Sequence, residues 1–134
     1  MSAALALQKA LFEALTSDTI LTAMLGTGKV FDEALPTTNP PYVVFSPATS
    51  NDWSTGTETG EEHILTLDVW SSHKGSVEVA SLAAQVRDVA LTLAEIAPPH
   101  RLVNIVHQAT RITREDQGGY YRAQLQMRAV TEPL

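Results

Sequence analysis

The chain has 134 residues, a net charge of −6, and 44% hydrophobic and 18% charged residues, which is the composition of one soluble globular domain. It contains no cysteine, so disulfide bonds and thiolate metal sites are excluded. No apolar run approaches the roughly 20 residues that a membrane-spanning helix needs, and the acidic balance disfavours tight nonspecific binding to DNA.

The charge is unevenly distributed along the chain. Residues 1–100 carry 4 basic and 12 acidic side chains, a net charge of −8. Residues 101–134 carry 5 arginines and 3 acidic side chains, a net charge of +2. Because arginine is rarely buried, we expect this excess on the surface of the last strands.

The N-terminal segment predicts two helices. Ser2 is a suitable N-cap for a helix from Ala3 to Leu15, and Ser17 can cap a second, shorter helix that Gly26 ends. Apolar residues at three- and four-residue spacing predict the buried sides. These are Leu7, Leu11, Ala14 and Leu15 in the first helix, and Ile20, Leu21, Met24 and Leu25 in the second.

Two strands and a polar segment follow. Tyr42–Phe45 is apolar and bounded by prolines, which predicts a buried strand. Residues 46–60 are rich in Ser, Thr, Asn and Gly and predict a long loop or hairpin tip. His63–Ser71 alternates as a strand. Its predicted core face is Leu65, Leu67 and Val69, and its other face is Ile64, Thr66, Asp68 and Trp70.

The longest helical pattern runs from Ser76 to Ala97. Ser76 is the expected N-cap, and Pro98 and Pro99 are expected to end the helix. One stripe is apolar and predicts the side that packs on the sheet. The stripe contains Val79, Leu82, Ala83, Val86, Val89, Ala90 and Leu93.

The end of the chain predicts a β-hairpin. Strands over Leu102–Arg114 and Tyr120–Val130 are joined by a turn at Asp116–Gly119. The order of elements predicts an α+β fold, with a mainly antiparallel four-stranded sheet backed by one long helix plus N-terminal helices. In the last strand Tyr121, Ala123, Leu125, Met127 and Ala129 face the core, whereas Tyr120, Arg122, Gln124, Gln126 and Arg128 face outward.

No pattern of catalytic or ligand-binding residues stands out. Gly26-Thr27-Gly28-Lys29 fails as a phosphate-binding loop, because Val30 replaces the required Ser or Thr and the segment follows a helix. The four histidines, His63, His73, His100 and His107, have no metal-ligand spacing. We therefore expect no catalytic residues, no cofactor and no metal, and a protein that is not an enzyme.

Three stretches, in this order and spacing, resemble a known family. They are Val30-Phe31 with Pro41–Phe45, then His63–Ser71 running into the long helix, and Gly119–Arg122 continuing through Arg128–Glu132. The chain resembles the tail-completion, or tail-terminator, proteins of long-tailed bacteriophages and phage-like gene transfer agents, over nearly its whole length. Residues 1–134 are therefore expected to form a single tail-terminator-like domain.

The resemblance implies a structural assembly protein. Such a protein forms a homo-oligomeric ring, usually of six copies, that caps the tail tube at its head-proximal end and joins head-completion (stopper or adaptor) proteins. DNA passes through the lumen without specific binding, no membrane is involved, and the protein lies in the tail of a phage or phage-like particle assembled in the bacterial cytoplasm.

Protein contacts are expected on outward-facing residues. Trp53 is unusual in a polar loop and either folds back on the domain or anchors a partner. The outward row of the last strand is expected to face a neighbouring subunit or acidic residues of a partner. The full set of predicted interface residues is Trp53, Thr55, Ile64, Trp70, Arg122, Gln124, Gln126 and Arg128.

Two alternatives remain open from the sequence. One is a soluble regulatory or interaction module that forms a closed dimer. The other is a small-molecule enzyme with a site assembled from the histidines and the region of Asp68, for which a pocket with two or more convergent titratable groups is required.

Overall fold

A computed structural model of the chain describes residues 2–32, 39–72, 76–115 and 119–134, in which three helices and six strands are present. The helices are α1 (Ala3–Ser17), α2 (Thr19–Leu25) and α3 (Val77–Leu91). The strands are β1 (Val30–Phe31), β2 (Tyr42–Phe45), β3 (Thr49–Asp52), β4 (Glu61–Ser71), β5 (His100–Arg114) and β6 (Tyr121–Pro133).

The strands form one mixed sheet in the order β1-β2-β4-β6-β5, and β3 pairs with β4 on the same edge as β2. Every pair is antiparallel except β1 with β2. The α+β class is confirmed, but the predicted four-stranded sheet omitted β1 and β3. Two residues are too few to show an alternation in β1. The polar composition of β3 does not favour a strand, which forms because its backbone pairs with Glu61–Ile64.

The core lies between the sheet and the helices. Leu65, Leu67 and Val69 of β4 point to the same side as the core residues of β6 and are buried. The predicted stripe of α3 packs there: its residues from Val79 to Ala90 are buried and Leu93 is partly buried. The buried β6 residues are Ala123, Leu125, Met127 and Ala129, as the alternation predicted.

The two N-terminal helices differ from prediction in their details. Ser2 caps α1, because its hydroxyl accepts a hydrogen bond from the Leu5 amide at 3.1 Å. Asp18 caps α2 rather than Ser17, whose hydroxyl donates to the Glu13 carbonyl at 2.6 Å. The predicted apolar side of α2 was partly wrong: Leu21 and Leu25 are buried, whereas Ile20 and Met24 are exposed, since a seven-residue helix presents only a narrow side to the core.

Helix α3 ends at Leu91, not at Ala97 as predicted. The Thr92 hydroxyl donates to the Val89 carbonyl at 2.6 Å, and the Thr92 amide bonds to the same carbonyl at 3.1 Å. Both bonds span three residues instead of the four of an α-helix, so the last turn is tighter and the helix ends there. The residues that follow turn back, and Ile96 becomes buried.

The C-terminal hairpin forms as predicted. The Glu115 amide donates to the Tyr120 carbonyl at 2.7 Å, and the predicted turn residues Asp116–Gly118 lie outside the described residues. Strand β6 extends to Pro133, three residues beyond the predicted end. Strand β5 is interrupted by two register shifts, between Leu102 and Asn104 and between His107 and Ala109.

The position of Val86 provides a test of this packing. Val86→Asp places a carboxylate in a fully buried site of α3, and we expect a loss of about 3–5 kcal/mol in the free energy of unfolding, enough to prevent soluble folding. Ser81→Asp adds the same side chain at an exposed position of the same helix and is the matched control. Thermal denaturation and soluble yield measure the difference, and a Val86→Asp protein with native stability would show that α3 packs elsewhere.

Candidate functional site

One face of the sheet is left uncovered by the described residues. Helix α3 packs against β4, β5 and β6 from the side of the core, and α1 and α2 lie on α3. The opposite side chains of β2, β4 and β6 therefore form a surface that we call the bare face. It consists of Tyr42, Ile64, Thr66, Asp68, Trp70, Arg122, Gln124, Gln126 and Arg128, while Val44 on the same side is buried.

Arg128 links the hairpin of β3 and β4 to this face. Its Nε lies 2.6 Å from the Glu62 Oε2, and its guanidinium lies 4.8 Å from the centre of the Trp53 ring. Arg128 and Glu62 are both about four-fifths buried at the side chain. An ion pair with a stacked aromatic ring holds Trp53 over the sheet and leaves 53% of that residue exposed.

A second arginine makes an equivalent cluster at the other end of the bare face. The Arg122 guanidinium lies 5.3 Å from the centre of the Trp70 ring, and the Trp70 ring lies 6.3 Å from that of Tyr42. Arg122 Nε is 3.1 Å from Glu115 Oε1, which makes an ion pair by distance although the angle does not allow a hydrogen bond. Burial, and then the nearby Tyr120, raises the pKa of Tyr42.

The centre of the bare face is polar. Asp68 lies opposite Gln124 in the β4–β6 ladder, and its Oδ2 accepts a hydrogen bond from the Ser46 hydroxyl at 3.4 Å. Its Oδ1 is buried and has no hydrogen-bond partner among the described residues. Between the two arginine clusters the face thus presents the side-chain amides of Gln124 and Gln126, which a second protein can contact.

The tip of the β3–β4 hairpin is held by its own hydrogen bonds. The Thr55 amide donates to the Glu58 carbonyl at 2.8 Å, and the Trp53 amide donates to the Gly60 carbonyl at 2.9 Å. Asp52 accepts from the Ser54 amide at 3.0 Å, and hydrogen bonding from Ser54 lowers the pKa of this carboxyl. Of the two predictions for residues 46–60, a long loop or a hairpin tip, the hairpin is confirmed, and its residues are exposed from Thr49 to Thr59.

His63 ties this hairpin to the body of the sheet. The fully buried ring lies between two hydroxyls, with Nδ1 2.7 Å from Ser50 Oγ of β3 and Nε2 2.8 Å from Thr131 Oγ1 of β6. Desolvation by burial lowers the pKa of His63, against a smaller opposing effect of Glu61. The neutral ring is the form that the fold favours.

The predicted interface residues fall into two groups. Ile64, Trp70, Arg122, Gln124, Gln126 and Arg128 share the bare face, and Trp53 joins them through Arg128, whereas Thr55 lies apart in the hairpin turn. The link between Trp53 and Arg128 was missed because residues 75 positions apart meet only through the sheet register. Whether these residues contact other proteins stays a prediction.

The residues of the alternative enzyme site do not come together as one group. His63 points into the core, where His100 of β5 is near enough to affect it electrostatically, whereas Asp68 lies on the opposite, bare face. The His107 ring contacts Thr110 at 2.6 Å on the edge strand. His73 lies outside the described residues. A groove of about 560 Å³ between α1 and β1 contains Lys9, Glu13 and Asp32 but no histidine. Within the described ranges no three His, Asp or Glu side chains are placed to hold a metal ion.

Comparison with known proteins gives a family and a structural relative. The model of a family described as tail completion protein gp17 matches residues 9–132. A chain from the virion of a native gene transfer agent particle superposes with a TM-score of 0.83 at 27% identity, covering 98% of this chain and 99% of that chain. No curated protein sequence gave a match. In the described segments no helix has the length and apolar character needed to cross a membrane.

The His63 contacts predict a pH-dependent stability. Because the pKa of His63 is lower in the folded chain than the 6.5 of an unperturbed histidine, the unfolded chain binds the proton more readily. The stability of the folded chain that depends on a neutral His63 is therefore fully present above pH 6.5 and is lost as the pH falls below that value. We expect urea denaturation to show that the free energy of unfolding decreases as the pH falls through this range. The decrease should be smaller in His63→Gln and unchanged in the control His107→Gln. An unchanged slope in His63→Gln would contradict the assignment.

Proposed function

This chain belongs to the family of tail completion proteins, and on that premise we propose that it forms a closed ring of six copies that caps the tail tube at its head-proximal end. In this role it stops growth of the tube and joins it to the head-completion proteins. Its work is structural and uses no catalytic residue, and its place is the tail of a phage or phage-like particle.

The observation that carries the proposal is the bare face. A mainly antiparallel sheet commonly leaves one face open to water, and in a domain that works alone that face is polar. Here the open side carries two tryptophans over arginines, and tryptophan and arginine are enriched where proteins bind each other. We assign this face to another protein of the particle.

The details of the bare face indicate the chemistry of that partner. Gln124 and Gln126 can each both donate and accept hydrogen bonds. Arg122 and Arg128 already neutralise Glu115 and Glu62, so an acidic partner group would add to existing ion pairs. A polar protein surface with some acidic side chains fits this arrangement better than a nucleic acid does.

The net charge supports a ring around DNA. At −6 the chain repels phosphate overall, so DNA can move past it without being held. The same charge suits a subunit that stays soluble in the cytoplasm before it meets the tube and the head proteins.

Removal of the gene from the producing bacterium tests the function directly. We expect tubes of irregular length and heads without attached tails in electron micrographs, and recovery of normal particles when the wild-type gene is restored. Native mass spectrometry of isolated tail ends should give six copies. Normal tails without the gene, together with a stable dimer of the purified protein, would favour the alternative of a dimeric interaction module.

Trp53 tests the assignment of the bare face. Trp53→Ala removes an exposed ring, so we expect a loss of only about 0.5–1 kcal/mol in the free energy of unfolding of the subunit. In the same strain we expect about a ten-fold fall in particle yield, as for removal of an interface anchor worth about 1.4 kcal/mol or more. Val77→Ala, which removes an exposed apolar side chain from the start of α3, is the matched control and should leave the yield unchanged. If Trp53→Ala and Val77→Ala changed the particle yield equally, the bare face would not be the partner-binding surface.

A further inference from the structure

The two edges of the sheet carry opposite charge. Strand β5 forms one edge and contains three arginines and no acidic residue between His100 and Arg114. The other edge is formed by β1 and β3, and the hairpin over residues 49–62 contains four acidic residues and no lysine or arginine. No described strand pairs with the outer side of either edge. The three cations are Arg101, Arg111 and Arg114, and the four anions are Asp52, Glu58, Glu61 and Glu62. Of these, Arg101 is also ion-paired with Glu132 of β6, and Glu62 with Arg128.

The charges on the two edges also lie at matching levels along the strands. Following the ladders across the sheet, Phe31 of β1 is level with Arg111 of β5, and the exposed Asp32 follows Phe31 directly. At the other end, Asp52 of β3 is level with Leu102, and Arg101 is the next residue. A cation thus lies at each of the two levels where the opposite edge carries an anion.

The strand directions allow these edges to pair between copies. Strand β5 runs parallel to β4, since both are antiparallel to β6, whereas β1 and β3 run opposite to β4. When a second sheet continues the first in the same orientation, its β3 runs antiparallel to β5. Antiparallel neighbours also cover the exposed side chains of β5, namely Val103, Val106 and Ile112.

We propose that a second copy of this chain docks its acidic β1/β3 edge against the arginine-bearing β5 edge of the first, as the contact that joins subunits in the ring. This inference rests on the proposed ring and identifies the surface that builds it. The two edges differ, so the contact is head-to-tail, and such contacts give rings when they close. The bare face then stays available for the partner protein.

A symmetric contact between two β5 edges fits less well. It brings six arginines together without one acidic residue from either strand, and like charges across an interface oppose association. The register shifts in β5 further divide the edge into short regular runs, which limits continuous pairing. Short runs are sufficient for the four residues of β3.

Charge exchange between the two edges tests the proposal. One variant, Arg101→Glu with Arg111→Glu, places an anion at both matched levels of the β5 edge, and the other, Asp32→Arg with Asp52→Arg, places a cation at both matched levels of the β1/β3 edge. All four residues are exposed, so the subunits should fold, which thermal denaturation checks. In the gene-deleted strain we expect each variant alone to lower particle yield by about ten-fold. Expressed together, the two can alternate around a ring of even copy number and should restore the yield to within about two-fold of wild type.

The controls separate failure of this inference from failure of the proposed function. Lys9→Glu with Arg87→Glu makes the same change in net charge as the Arg101/Arg111 variant, but on the helices, and should leave the yield unchanged. If the wild-type gene is needed for normal tails and either edge variant alone supports normal yield, the edges do not join copies. If both variants fail and the mixture fails too, the edges serve another contact, and the inference is overturned. If deletion of the gene leaves tails normal, the proposed function itself is wrong.

Discussion

The ladder between β4 and β6 determines the rest of the structure. It pairs eleven residues without interruption, from Glu61 with Thr131 to Ser71 with Tyr121. Because side chains alternate along both strands, this single register decides which residues of each strand enter the core and which form the bare face. A shift of β6 by one residue would expose Leu125 and bury Arg122 and Arg128. The same strand register therefore determines both the core and the candidate interface.

The parts that could be predicted from the sequence are those with a strong local period. The stripe of α3 and the alternation of β4 and β6 placed the core, and with it the shared outward position of Trp70 and Arg122. The same periods could not show β1, which has two residues, or β3, whose strand depends on its partner. The end of α3 was missed because the Thr92 hydroxyl, and not the later prolines, terminates it.

The contacts that arise only in the folded chain were beyond the sequence. Trp53 lies over Arg128, and the His63 ring joins Ser50 to Thr131, 81 positions apart in the chain. No local pattern encodes such pairs. The sequence did show that positive charge is concentrated after residue 100, but not that the arginines divide between one edge and one face. The arginines after residue 100 therefore belong to two different surfaces, the β5 edge and the bare face, which the composition does not distinguish.

The two register shifts in β5 have a consequence for stoichiometry. A bulge bends its strand and increases the local twist, so the backbone near Val103 and Gln108 sets the angle at which anything lies against that edge. When unlike edges meet, each subunit is rotated by the same angle relative to the one before it. The subunits form a closed ring only if that angle divides a full turn evenly, and otherwise they form a helical filament. The number of subunits would then be a geometric property of one strand. Loss of a single residue there would change the diameter of the assembly while the side chains at its contacts stayed the same.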